Sequence, residues 1–377
     1  APVVARAGGL ENGLLRLTLD PRQGVPLTDL RTGARYPDLL QVETEADLGD
    51  TYSFAPGPPA TQAAPRWGHA AAAGGPLVGA MVLRARIPAG RAPNGTGPGA
   101  VDLRLTLSLQ AGSPALRCSI ALDNQGQDHR VRLRVARGAP GREVLAGGPF
   151  GPVRRRPVPP VGPADGGETP VPTAPAHRWV AAGAGRGVAV LAPGFFEYEH
   201  TPDGDLVVTL LRAIGQLSRA DLPTRPGHAA WPTATPLAQS LGPDLLQLAL
   251  LPLGRDFGGD AAALTEAWED VFLPLRPVWL RQASRLSVPA GSLTLEGAGL
   301  VLSAVKPAAE SRDLVLRCYN ATSSTVEGRW HLPVPVSRAS RVRADEREPE
   351  PLPLEDAGRT VRFRAGPRAM VTVALEL

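Results

Sequence analysis

Arg186-Gly187-Val188-Ala189-Val190-Leu191-Ala192-Pro193-Gly194-Phe195-Phe196-Glu197-Tyr198-Glu199-His200-Thr201-Pro202-Asp203-Gly204-Asp205-Leu206-Val207-Val208-Thr209-Leu210-Leu211-Arg212-Ala213-Ile214 is the stretch whose reading decides the fold. Val188 to Leu191 and Leu206 to Leu211 are two short apolar runs, too rich in β-branched residues to favour helix. Pro202-Asp203-Gly204-Asp205 between them is a turn signal, so the stretch predicts two strands joined by a turn. The second run is apolar almost throughout, which predicts cover on both faces and a place inside a layered sheet structure.

Working outward, the same grammar recurs. Leu15, Leu17 and Leu19 alternate with polar residues and end at Pro21 and Gly24; Leu27 to Leu30 follows, closed by Arg31-Thr32-Gly33. Leu77 to Ile87, Val101 to Leu109, Ala115 to Leu122, Arg130 to Val135 and Leu245 to Leu251 read as further strands. Asp123-Asn124-Gln125-Gly126 predicts that Ala115–Leu122 and Arg130–Val135 form a long hairpin. Gly138 to His177 is dominated by Pro, Gly and Ala and is expected to contribute no core element. With 42 glycines and 41 prolines in 377 residues, and helix-period segments scarce, the chain predicts an all-β architecture.

Asp260 to Phe272 is the exception. Leu264, Trp268 and Val271 or Phe272 recur at helical spacing, Asp260 can cap the start, and Pro274 and Pro277 stop the end. Beyond it, Leu286 to Ser303, Leu314 to Tyr319, Thr325 to His331, Thr360 to Arg364 and Ala369 to Leu377 read as strands of a second body. The expected organisation is therefore a large antiparallel β-supersandwich over 1–256, a linker helix within 257–280 acting as a hinge, and a small β-sandwich over 281–377.

Composition narrows the function. The net charge is +4, acids and bases are interspersed, and Lys306 is the only lysine, so the basicity reflects an arginine bias rather than a nucleic-acid surface. Arg154-Arg155-Arg156 is the one basic run, in a Pro-rich loop without alternating aromatics, and reads as a solvated loop. No run of about 18 apolar residues occurs, so no membrane-spanning helix is expected. Cys118 and Cys318 lie 200 positions apart in strand-like settings and are expected as reduced thiols, which with no visible signal peptide points to the cytoplasm. The first residue is Ala1 rather than Met, which fits removal of an initiator Met or a fragment of something longer.

The loop Asp47-Leu48-Gly49-Asp50-Thr51-Tyr52-Ser53-Phe54-Ala55-Pro56 carries the most chemistry. Two carboxylates, a glycine and a tyrosine can form a polar cluster that hydrogen-bonds sugar hydroxyls; the competing reading is a β-turn with Tyr52 and Phe54 as packing residues. Glu197 and Glu199, two apart, share a strand face as a candidate carboxylate pair or as structural ion-pair partners. The six histidines, His69, His129, His177, His200, His228 and His331, are scattered without metal-ligand spacing.

Several of these words together resemble the C-terminal β-region of family-38 glycoside hydrolases, the α-mannosidases, of the bacterial type. They are Gly194-Phe195-Phe196-Glu197-Tyr198-Glu199, Val208 to Gly215 with its Leu-Leu-Arg, Leu217-Ser218-Arg219, Thr224-Arg225-Pro226-Gly227 and Thr235-Pro236-Leu237-Ala238-Gln239. Leu10-Glu11-Asn12, the Asp29-x-x-Thr32-Gly33 turn, Gly148-Pro149-Phe150-Gly151, Leu302 to Lys306, Leu316 to Asn320 and Val371 to Glu376 extend the resemblance over essentially the whole chain. The resemblance implies that the catalytic half, with the family's zinc site and its carboxylates about 5 Å apart, lies upstream. The family's His-x-Asp zinc motif does not occur in this sequence, and the resemblance implies that this chain binds no cofactor itself, contributes no catalytic residue, and works with the N-terminal catalytic domain of the same polypeptide on mannosides. It also implies that the Gly49-x-x-Tyr52-x-Phe54-x-Pro56 loop reaches the cleft, with Tyr52, and with it Asp50, as sugar contacts.

Two other readings stand beside it. A stand-alone carbohydrate-binding module demands an exposed aromatic platform, with Trp67, Trp179 and Trp231 as candidates. An aldose epimerase, suggested by the resemblance of the large sandwich to galactose mutarotases, demands a His acid and a Glu base in one cleft, for which His200 with Glu197 or Glu199 is the near candidate. The expectation adopted is the first, and it leaves homo-oligomerisation open.

Overall fold

The structure, a computed structural model, describes residues 1–6, 8–20, 24–57, 67–135, 143–149, 151–158, 167–183, 187–254, 259–274, 279 and 292–376. Its sheets are antiparallel throughout the described pairings, and the chain is all-β. By contact the chain divides into two units, Ala1–Ala146 with Arg154–Gly258, and Gly147–Val153 with Gly259–Leu377.

In the first unit, Val4–Arg6, Gly9–Glu11, Leu15–Thr18, Leu27–Asp29 and Arg35–Tyr36 form a sequential meander. Its turn at Asp29 is built by one carboxylate: the buried Asp29 accepts from the Arg31 N–H at 3.0 Å, from Arg31 Nε at 2.9 Å and from Thr32 Oγ1 at 3.0 Å. Gly33 follows at φ +72°, a conformation that glycine adopts without a Cβ clash.

A larger sheet runs from Val144–Ala146 through Thr173–Ala182, Val188–His200, Gly242–Pro252, Leu116–Asn124, Pro98–Gln110 and Val78–Arg91 to Gly68–Gly74. The leucine alternation at 101–109 does what its period demands: Val101, Leu103, Leu105, Leu107 and Leu109 are buried, and Asp102, Arg104, Thr106 and Ser108 are not. These leucines join Met81, Leu83, Ile120, Leu122, Val190 and Leu250 in one core.

The expected hairpin from 115 to 135 is not formed. Leu116–Asn124 pairs with Pro98–Gln110 and Gly242–Pro252, whereas His129–Val135 leaves that path and lies between Leu40–Ala46 and Leu206–Ala213. Side chains explain the departure. Asn124 Nδ2 donates to the carbonyls of Gln239 (2.9 Å) and Ser240 (3.1 Å), and its Oδ1 accepts from Gly126 N–H, so the turn is tied to a remote segment. Val144-Leu145-Ala146 is a second correction. It is a buried strand paired to Ala181 and Val180 inside the stretch expected to hold no core element, because three apolar residues suffice when the partner strand is already buried.

The opening stretch does fold as two strands, with a finer arrangement than two apolar runs side by side. Val188 to Leu191 pairs with Pro252 to Ala249, while Tyr198, Glu199 and His200 pair with Val208, Val207 and Leu206. The strand changes partners across a bulge. Its neighbour has only Arg178 between His177 (opposite Phe195) and Trp179 (opposite Leu191), whereas this strand has Ala192, Pro193 and Gly194. Arg178 at φ +69° and Gly194 at φ +68° take up the mismatch.

The second unit has two sheets. Thr294–Glu296, Val326–His331, Thr360–Ala365 and Leu354–Glu355 form one, in the order 294–296, 326–331, 360–365, 354–355. Leu300–Pro307, Leu314–Asn320, Met370–Glu376, Arg338–Val342 and Glu350–Pro351 form the other, in that spatial order. Trp330, Phe363, Leu316, Cys318, Val371 and Val373 fill the core between them. Gly328 is required there, since a Cβ would meet the Phe363 ring at 2.4 Å. The helix spans Ala261–Phe272 and is capped as expected: Asp260 accepts from the N–H groups of Ala262 (3.0 Å) and Ala263 (3.1 Å). It belongs to the second unit and packs against Leu300–Pro307. The stretch 286–291, expected as strand, lies outside the described residues, and so do Pro277 and much of the expected linker.

Candidate functional site

The loop Asp47–Pro56 is held from beneath by its own carboxylates and two arginines. Asp47, fully buried, accepts from the Gly49 N–H at 2.9 Å and from Arg212 Nε at 2.6 Å. Arg212 Nη2 then donates to the carbonyls of Asp50 (2.7 Å) and Ser53 (2.8 Å). Asp50, also fully buried, accepts from the N–H groups of Tyr52 (3.0 Å) and Ser53 (2.9 Å) with Oδ1, and from Arg219 N–H (2.8 Å) and Arg225 Nη2 (2.6 Å) with Oδ2. Gly49 is needed because a Cβ would lie 2.0 Å from the Ser53 carbonyl.

Burial alone would raise the Asp50 pKa. The Arg225 bond and the N–H groups of Arg219, Ser53 and Tyr52 outweigh it, and the carboxyl sits below the usual carboxylate range. Both oxygens of Asp50 are thus engaged within the protein. What the cluster presents outward is Tyr52, whose side chain is 59% exposed. Of the two residues singled out from the sequence, Tyr52 faces solvent, and Asp50 lies under it as the residue that shapes the loop.

Tyr52 lines an open depression of about 510 Å³ with Phe54, Arg130, Phe195, Glu197 and Arg212. The Arg130 guanidinium sits over the Phe54 ring, its Cζ 3.4 Å from the centroid, and its Nε donates to Glu45 at 2.6 Å. Glu197 accepts from Thr209 Oγ1 at 2.6 Å. Behind it runs a ladder of charge: Arg132 pairs with Glu43 (3.2 Å), Glu45 (2.9 Å) and Glu199 (2.5 Å), and Arg134 pairs with Glu43 and Asp205. Glu199 is therefore an ion-pair partner, and Glu197 is the one of the pair that reaches the depression.

Strand alternation separates the histidine from the acids. Tyr198 and His200 are buried on one face of their strand, and the partly exposed Glu197 and Glu199 lie on the other. The His–Glu convergence that epimerase chemistry needs is not made by these residues. The aromatic platform is not assembled either: Trp179 is buried, Trp67 packs against the core and Trp231 alone is exposed. Among the described residues, no three His, Cys, Asp or Glu side chains gather as a metal site.

Arg212, Arg225, Arg130 and Phe195 were not singled out from the sequence as site residues. Their partners lie far along the chain, Arg225 being 175 positions from Asp50, so nothing local marks them. The available signal was that Arg212 and Arg225 stand inside the Leu-Leu-Arg and Arg-Pro-Gly words.

Residues 299–373, in the second unit, match the family model for the C-terminal beta sandwich domain of glycosyl hydrolases family 38. A putative mannosylglycerate hydrolase of Halalkalibacterium halodurans is 30% identical over 228 residues, covering 58% of this chain and 23% of its own length. An α-mannosidase from Enterococcus faecalis V583 superposes on all of this chain and 43% of its own with a TM-score of 0.79 at 20% identity. A family-38 protein from the same species does so over 45% of its length with a TM-score of 0.78 at 20% identity. Over residues 299–373 the chain matches the family-38 C-terminal β-sandwich domain, its whole length shares the fold of these solved structures, and it spans about a quarter of the curated relative and under half of the solved structures.

Proposed function

We propose that this chain is the non-catalytic β-region of an α-mannosidase-like glycoside hydrolase, buttressing a zinc-dependent catalytic domain of the same polypeptide and lending Tyr52 to the bound sugar. The observation that carries it is the Asp47–Pro56 loop, in which two buried carboxylates and two arginines are spent on holding a single exposed tyrosine in place. A phenol so held can donate to and accept from sugar hydroxyls at little entropic cost, since the loop is already ordered. Mannosides are the substrate class because a relative is named for mannosylglycerate hydrolysis and a structural neighbour for α-mannosidase activity. Zinc is assigned to the catalytic domain, and no chemical step is assigned to this chain. A cytoplasmic location accords with Cys118 and Cys318, both buried and unbridged. No described helix is long and apolar enough to cross a membrane.

The test is hydrolysis of an aryl α-mannoside, with and without zinc, by the 377-residue chain and by the longer polypeptide that contains it. The chain alone should show no turnover; turnover that survives rigorous purification overturns the reading. In the longer polypeptide, Tyr52→Phe should lower kcat/KM by up to roughly tenfold. The melting temperature should stay within about 2 °C. Unchanged kinetics would leave Tyr52 an exposed loop residue with no part in sugar binding.

A further inference from the structure

The Tyr52 depression has a second exposed aromatic for which nothing above gives a use. Phe195 is 67% exposed, an unusual state for a phenylalanine within a strand whose first five residues are buried. It is held there by three features. The bulge at Ala192-Pro193-Gly194 releases it from the core-facing pattern, and two left-handed residues, Arg178 and Gly194, set the bend. Backbone strain at a non-glycine residue persists only where the surroundings enforce it, and here it serves to project one ring. The His177 ring then backs Phe195 from the neighbouring strand, with centroids 4.8 Å apart.

Phe195 and Tyr52 come from different elements and line the same depression, whose 510 Å³ falls within the range of small-molecule sites, about 300–1,000 Å³. The cations nearby are committed. Arg212 uses Nε and Nη2 on Asp47 and the loop carbonyls, while Arg130 uses Nε on Glu45 and sets its guanidinium over Phe54. The rest of the lining is largely the apolar 171–175 segment and Phe196, with Tyr52 and Phe195 as the exposed rings left to a ligand. A flat apolar ring with polar groups at its edge suits the C–H face of a pyranose ring, with the Glu197 carboxylate within the same depression to take a hydroxyl.

We propose that Phe195 is a second sugar contact, stacking on a pyranose ring of the substrate's leaving group while Tyr52 contacts the mannosyl unit. The inference rests on the reading of Tyr52 given above. It makes Phe195 a specificity-determining residue that distinguishes glycosides whose leaving group is itself a sugar from those with a small aglycone.

The test compares steady-state kinetics of the longer polypeptide on an α-linked mannobiose and on methyl α-mannopyranoside. Phe195→Ala should raise KM for mannobiose roughly five- to tenfold with kcat nearly unchanged, and leave methyl mannoside within about twofold. Phe195→Trp should restore the mannobiose KM. Equal effects of Phe195→Ala on both substrates, or none on either, overturn the proposal while leaving Tyr52 intact if Tyr52→Phe still impairs turnover. If Tyr52→Phe and Phe195→Ala are both silent, the reading of the whole depression falls, and this proposal with it.

Discussion

At the scale of single residues, Asp50 and His129 make opposite use of burial. Asp50 is a carboxylate kept charged by Arg225 and three N–H groups; removing it strands a guanidinium whose side chain is only 9% exposed. Asp50→Ala should therefore cost about 3 kcal/mol in chemical denaturation, the usual penalty for breaking a buried pair. Because its folded pKa is depressed, the carboxylate's contribution is present above the ordinary value of 3.8 and is lost as pH falls below it. His129 is a base kept neutral. Burial, the dominant cause, pulls it from 6.5 to about 4. Asn124 Oδ1, 3.0 Å away, can only accept, so Nε2 carries the proton. A base depressed in the folded state contributes fully above its unfolded value, and the contribution disappears as pH falls from 6.5 towards 4. That window is worth about 3 kcal/mol. His129→Gln should flatten the pH dependence of stability in this window while lowering stability at pH 7; a profile as steep as the parent's would place the titration elsewhere.

At the scale of elements, what the sequence made legible and what it hid divide along local and non-local lines. The leucine alternation at 101–109, the Pro202-Asp203-Gly204 turn and the Asp260 cap are local, and all three stand in the structure. The false hairpin at 115–135 and the hidden strand at 144–146 have one cause. Which strand a segment pairs with depends on partners tens to hundreds of residues away, such as Gln239 for Asn124 and Ala181 for Leu145. The polar cluster of the Asp47–Pro56 loop was readable because the loop is contiguous, whereas the arginines that hold it were not. The bulge belongs at this scale too. Gly194 has open space around its Cβ position, so Gly194→Ala meets no neighbour and only the cost of φ +68°, about 1 kcal/mol. Thermal denaturation should show that modest loss, whereas deleting Gly194 should cost far more, since a one-residue slip turns every later side chain of the strand to the opposite face.

At the scale of the whole molecule, each unit carries one cysteine in its core. Cys118 lies in the first and Cys318 in the second, and both are buried. Burial pushes both thiols up, Cys318 to about 12, so neither is a nucleophile at neutral pH while its unit is folded. A thiol reagent should find no reactive group in the native chain and two after denaturation. Labelling at intermediate denaturant, with the modified peptide located by mass spectrometry, should then report the opening of each unit separately. Rapid labelling of either cysteine in the native state would contradict the packing described for that unit.

The strand from Val188 to His200 has a further consequence. Its first half is welded into the interior and its second half carries the rim of the depression, with three bulged residues as the joint between them. Variation at the exposed Phe195 is thereby uncoupled from folding, whereas Phe196 still packs against the core: new side chains can be tried at position 195 while the welded half stays as it is. A library randomised at Phe195 should stay folded across most of its members, which thermal denaturation of the pooled variants checks.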